Sequence, residues 1–178
     1  KRLKRKKMPN SIYIDVTDDA EPPQWFSLKE TEAFLNTLLD TCLYRNWELS
    51  VVFCSNAFIQ KLNKEYRGLD EPTDVLSFSQ AESENGEPLK PAFKEHSELD
   101  FIDWDDFPLF TAGDIVISFE ALHKNAQDFS VPDEQELKRL LVHGVLHLAG
   151  YDHQTNDPAE PMLVLQEKIL AEVEHGRV

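Results

Sequence analysis

His143-Gly144-Val145-Leu146-His147-Leu148-Ala149-Gly150-Tyr151-Asp152-His153 is the stretch from which the rest of the chain can be read. Side chains four apart on a helix project from the same side, so His143 and His147 point together if the segment is helical. Gly150, three residues beyond His147, is placed to end that helix in a left-handed turn. The reversal brings His153 back toward the other two. Three imidazoles drawn to one point is what this spacing predicts.

Three neutral imidazoles with a fourth position left open is how proteins hold a catalytic zinc ion, whereas a structural zinc is closed by four ligands, mostly cysteines. Cys42 and Cys54 lie far upstream and form no C-x-x-C pair. The spacing matches the metzincin signature H-E-x-x-H-x-x-G-x-x-H at every position but one. Gly144 stands where a metalloprotease carries its glutamate base, so the metal grip is kept and the peptidase base is missing. Ordinary surface or core histidines are the bland alternative, and for a lone histidine the better one. Three of the chain's six histidines within eleven residues, at ligand spacing, decide instead for one Zn2+ on His143, His147 and His153.

Working outward, Leu137, Leu140, Leu141, Gly144, Val145 and Leu148 form one apolar stripe at about 100° per residue. His143 and His147 fall on its flank, half buried and open to a cleft, with Lys138 and Arg139 on the more exposed side. Asp133 is expected to cap this helix, after Val131-Pro132 ends a preceding one over 119–129. Strands are expected at 11–16, 47–54, 73–79 and 113–118, where β-branched and aromatic residues concentrate. Ser27 and Glu30 form a capping box for a helix whose core side is Leu28, Thr31, Leu35, Leu38, Leu39 and Cys42. Ser55 or Asn56 caps another, with Phe58, Ile59 and Leu62 inward and Gly68 at its end. A last helix carries Met162, Leu165, Ile169, Leu170 and Val173. Its start is ambiguous: Asp157, Pro158 and Glu160 look like a cap and first turn, while Pro161 disfavours a helical Glu160.

The 178 residues suit one domain with a real core. Residues 1–10 read as a basic tail outside it, and 11–178 as a single catalytic domain with an acidic insertion at about 81–112. That insertion mixes nine acids with Phe93, Phe101, Trp104, Phe107 and Phe110. Its prolines discourage regular structure, and disorder over its first half is expected. No apolar run is long enough to cross a bilayer, and no apolar core follows the basic start as in a secretory peptide. Two cysteines without framework spacing fit a cytoplasmic location. Six of the first seven residues are basic, so subtracting their +6 from the net −15 leaves −21 on the rest. Such a body is unsuited to broad nucleic-acid binding. Any nucleic-acid chemistry must rely on a local basic patch, the metal, the tail or a partner.

Lys61, Lys64 and Arg67 supply one such patch, three residues apart on a helix face. On the residues alone, Arg67 is equally a helix-end salt bridge to Asp70 or Asp74. Asp74 reads as structural, bonding backbone near its strand. Asp152 is either an acceptor that orients a ligand histidine or, by a small margin, a turn residue.

Leu62-Asn63 with Tyr66-Arg67-Gly68, then Thr73-Asp74-Val75-Leu76-Ser77-Phe78, Gly113-Asp114-Ile115-Val116-Ile117-Ser118 and the histidine stretch form four ordered blocks. Together they resemble the YbeY family, bacterial metal-dependent endoribonucleases of ribosomal RNA maturation. The likeness spans most of 12–173, without the tail and the insertion. It implies an α+β fold: one compact domain, a small mixed and mostly parallel sheet of about four strands, helices around it and a zinc site at a helix end. It implies zinc on His143, His147 and His153, with Arg67 in the active cleft; Arg67 and His143 are then the catalytic candidates, and Arg67, with Lys61 and Lys64 of the basic stripe, the candidate substrate contacts. The reaction implied is cleavage of RNA phosphodiesters in 16S rRNA 3′-end maturation and ribosome quality control. The ribosome or its proteins are expected partners and no membrane is. The family often has a histidine where Arg139 stands and an acid near Gln166, and its insertion is shorter. Two other readings compete: a metallopeptidase-like hydrolase with its base elsewhere, and a non-catalytic, metal-stabilised protein that docks on ribosomes.

Overall fold

The computed structural model describes residues 10–80 and 109–175. The basic run at 1–7 and most of the acidic insertion lie outside the described residues. Nine elements follow in order: β1 (Ser11–Val16), α1 (Leu28–Thr41), β2 (Trp47–Cys54), α2 (Asn56–Arg67), β3 (Val75–Ser79), β4 (Phe110–Ser118), α3 (Phe119–Phe129), α4 (Asp133–Leu148) and α5 (Pro161–His175). The sheet order is β1-β2-β4-β3. β1, β2 and β4 run parallel and β3 closes one edge antiparallel to β4. This is the α+β architecture, with its mixed and mostly parallel sheet, that the resemblance implied.

The strand bounds follow side-chain chemistry. In β2 Glu48, Ser50 and Val52 lie partly open while Trp47, Leu49, Val51 and Phe53 are buried, the alternation of a pleated ribbon that ends at the buried Cys54. β4 carries Ala112, Ile115 and Ile117 at 0% exposure and sits between two neighbours. It begins three residues before the expected 113, so Phe110, Thr111 and Ala112 are strand rather than insertion. Asn10 likewise belongs to the body: its amide donates to the Tyr44 carbonyl and accepts from the Trp47 amide.

α4 is the axis of the main core. Nine of its sixteen residues are buried, including the whole expected stripe. It packs against α5, α3, β3 and β4. Gly144 lies where α4 meets the sheet: a Cβ there would stand 2.7 Å from Ile115 Cδ1 and 2.9 Å from its Cγ2. A glutamate at this position has no room, so the missing peptidase base reflects close helix–sheet packing.

Several local expectations need correction. Pro132, not Asp133, is the N-cap of α4, extended at ψ 148. Asp133 is the first helical residue and its carboxylate meets His123 Nδ1 at 2.9 Å. Arg139 is not on an exposed side; it is three-quarters covered and paired with the buried Glu136. Leu28 is half exposed, and Phe34 takes a place in the core that the spacing did not assign. α5 starts at Pro161, because a proline fits the first turn and forces the residue before it out of the helical region.

Candidate metal centre

α4 stops in a Schellman turn, which is what turns the chain toward its third histidine. The Tyr151 amide bonds the Leu146 carbonyl and the Gly150 amide bonds the His147 carbonyl, both at 3.0 Å. Gly150 sits at φ +92, a left-handed conformation that suits glycine. The turn aims the Tyr151 carbonyl back at His147 Nδ1, 2.9 Å away. The chain then presents His153, whose Nδ1 bonds the Thr155 carbonyl at 2.9 Å. Glu160 holds that loop, its Oε1 accepting from the Thr155 amide at 3.1 Å and hydroxyl at 2.8 Å. His143 Nδ1 meets Gln166 Oε1 of α5 at 2.9 Å.

Each Nδ1 therefore faces an oxygen and carries the proton, which leaves every Nε2 a lone pair. Those lone pairs converge: His147 Nε2 is 3.0 Å and His153 Nε2 3.4 Å from His143 Nε2. All three ligand atoms lie within 4.8 Å of one another. Three acceptors this close, with no proton between them, repel unless a cation sits among them. Nitrogens about 2.0–2.1 Å from a tetrahedral zinc stand roughly 3.3 Å apart, so the donor set fits such an ion. Burial lowers the pKa of His143. Burial, then the neighbouring His143 ring, lowers His147 to about 4. Both rings are thus kept in the neutral form that ligates. The triad could hold a metal ion, at the end of α4 where the spacing placed it.

The other expected residues fall into two groups. Asp152 is 87% exposed and 4.0 Å from His147 Nδ1. Its Oδ1 accepts the His153 amide at 2.9 Å, the role of a turn residue. Asp74 is structural as expected: it accepts from the Val75 amide and from Asn125 Nδ2, both at 2.8 Å. Arg67 is exposed at the end of α2, just before the left-handed Gly68 cap. Neither acid weighed as its salt-bridge partner takes it, because Lys64 holds Asp70 at 2.6 Å and Asn125 holds Asp74. Lys61 and Lys64 are exposed on the same helix. Cys42 and Cys54 are buried and free, with burial raising both thiols to about 12, so neither is a nucleophile.

Gln166, named from the sequence only as a departure from the family, is a site residue whose role sequence reasoning did not assign. It is 2% exposed and interrupts the buried α5 series Met162, Ile169 and Val173. A polar residue inside an apolar stripe was the available signal, because it must find a partner there. Glu136, 1% exposed and about two helical turns before His143, is a second such case.

The family model described as Endoribonuclease YbeY matches residues 17–174. An Endoribonuclease YbeY from Treponema denticola is 42% identical over 171 residues, covering 96% of this chain and 98% of its own. One from Borreliella burgdorferi is 44% identical over 142 residues, covering 78% and 82%. The solution structure of TM1509 from Thermotoga maritima, VT1, a NESGC target protein, has a TM-score of 0.55 at 28% identity and covers 91% of this chain and 88% of its own. Four motif blocks, the mixed sheet and the histidine triad thus coincide with these matches over nearly the whole sequence, and the chain belongs to the YbeY endoribonuclease family.

Proposed function

We propose that the protein is a zinc-dependent endoribonuclease acting in 16S rRNA 3′-end maturation and ribosome quality control in the cytoplasm. Membership of an endoribonuclease family makes RNA the substrate class and a nuclease the enzyme class. The observation that carries the metal dependence is the convergence of three Nε2 lone pairs whose opposite nitrogens are all held by oxygens. His143, His147 and His153 would hold the ion. When bound, zinc supplies a Lewis acid for the phosphodiester and for water. Gln166, the Tyr151 carbonyl and the Thr155 carbonyl fix the three rings. Arg67, without an ion-pair partner among the described residues, would present its fork of donors to a phosphate, with Lys61 and Lys64 beside it on α2. RNA then meets a local group of cations on an otherwise acidic body. Ribosomal contact fits a protein whose acidic surface complements basic ribosomal proteins, and no described helix is long and apolar enough to cross a membrane.

The test is cleavage of a structured RNA carrying the 16S 3′ region, with and without chelator. Zinc-loaded protein should cut it, chelator should abolish cutting and added zinc should restore it. His147→Ala should be inactive and take up no metal, and Arg67→Ala should fold and bind zinc but cut poorly. Zinc-loaded wild type that leaves the RNA intact, yet still binds ribosomes, would replace this reading with that of a docking protein. A peptidase reading is disfavoured by Ile115, which fills the space above Gly144.

A further inference from the structure

Arg139 stands one helical turn before His143 and two before His147, so the three side chains rise from one face of α4. Its guanidinium is fixed from behind. Nε donates to Glu136 Oε2 at 2.8 Å and Nη2 to Glu136 Oε1 at 2.5 Å. Glu136 is itself anchored, 1% exposed and 3.4 Å from Asn125 Nδ2, which also bonds Asp74 Oδ2. The Phe129 ring covers one side of the guanidinium, its centroid 5.2 Å from Cζ. The side chain nevertheless keeps 27% of its surface exposed, and Nη1 has no partner among the described residues. An arginine present only to neutralise a buried acid has no need of an exposed edge one helical turn before His143. A locked, planar fork with one free amino group is the arrangement that takes up a phosphate with little loss of side-chain freedom. Lys64 offers a weaker alternative, because its ammonium is already paired with Asp70.

We propose that Arg139 is a substrate-binding residue that holds an RNA phosphate adjacent to the scissile one through its Nη1 edge. This rests on the RNA-cleavage reading above. Glu136 and Phe129 set the plane of the fork, and the phosphate it grips positions the neighbouring phosphodiester at the histidine triad.

Replacing Arg139 by alanine would strand the Glu136 carboxylate in the core, so two other variants carry the test. Arg139→Lys keeps a cation for Glu136 and loses the planar fork. The paired Glu136→Met/Arg139→Met variant removes the cation together with its buried counter-charge. Each is checked for wild-type melting and zinc content, then assayed for RNA cleavage and for RNA binding across a salt series. The paired variant should raise KM roughly tenfold to a hundredfold with kcat within a few-fold. It should also flatten the slope of log K against log salt by about 0.7, one phosphate contact on a single strand. Arg139→Lys should raise KM by a smaller factor. A folded, zinc-loaded paired variant with wild-type KM and salt slope overturns the proposal. If the pair fails to fold, wild-type KM in Arg139→Lys does so. If zinc-loaded wild type cuts no RNA, the cleavage reading falls by itself, and the salt slope alone then decides for or against Arg139.

Discussion

Gln166 shows how much a single buried amide can govern. It accepts from His143 Nδ1 and donates to Glu167 Oε1, so it sets both the tautomer and the tilt of the His143 ring. Gln166→Leu keeps the volume but leaves the ring nitrogen without an acceptor. Zinc affinity should fall 10- to 100-fold, as measured by competition with a chromophoric chelator. Unchanged affinity would mean that packing alone orients His143. Gly144 gives the complementary case, in which a residue matters for what it lacks. Gly144→Ala gains about 1 kcal/mol of helix propensity and loses about 1–3 kcal/mol to overpacking against Ile115. Denaturant unfolding should therefore show a net destabilisation, and adding Ile115→Ala should remove the overpacking part. The convergence of the three histidines was legible in the sequence because helical pitch and a glycine turn are local rules. Gln166 was not, since its partner lies 23 residues away and only the packing of α5 on α4 brings them together.

At the level of elements, the ligand loop is the part of the site with least support. His143 and His147 ride on a helix buried in the core, whereas His153 follows an exposed turn and depends on the Thr155 carbonyl. Glu160 steadies that carbonyl by accepting twice from Thr155 just before α5 begins. Glu160→Ala should loosen zinc, raising its off-rate, while melting of the zinc-free protein stays within a few degrees. An unaltered off-rate would assign the loop's order to the Schellman turn alone. Element types and most bounds were readable, since β1, β2 and α3 match the expected ranges and α1 follows its expected cap. The errors cluster where two residues compete for one role. Pro132 and Asp133 both suit the start of α4, and the choice fell to the proline because the Asp133 carboxylate pairs with His123 across the α3–α4 turn. Asp133 then joins Glu134 and Glu136 in the first turn, where acids complement the helix dipole.

The whole molecule is strongly acidic, and this sharpens what its pH dependence can reveal. Net charge is −15 at pH 7 and the isoelectric point is about 4.7. Lowering the pH toward that point relaxes self-repulsion, which by itself favours the compact state. The buried histidines act in the opposite direction. His147 accepts a proton near pH 6.5 in the unfolded chain but near 4 in the folded one, first because it is buried and then because His143 adjoins it. His143 is shifted the same way by burial. Between those values the unfolded chain holds more protons, so acidification draws the equilibrium toward it. The histidine contribution is complete above about pH 6.5 and is lost as the pH falls through about 4. Asp19 and Asp70, both lowered by side-chain hydrogen bonds, begin to matter only nearer the ordinary carboxylate range. Zinc-free protein should therefore lose stability between pH 6.5 and 4.5, by roughly 1–3 kcal/mol, despite its declining net charge. Urea unfolding at a series of pH values in chelator measures this, and His147→Gln should flatten the slope. If the variant and wild type lose stability in parallel, some group other than the triad titrates in that window. Added zinc should steepen the wild-type curve over the same range, because each proton taken up by an Nε2 displaces a ligand.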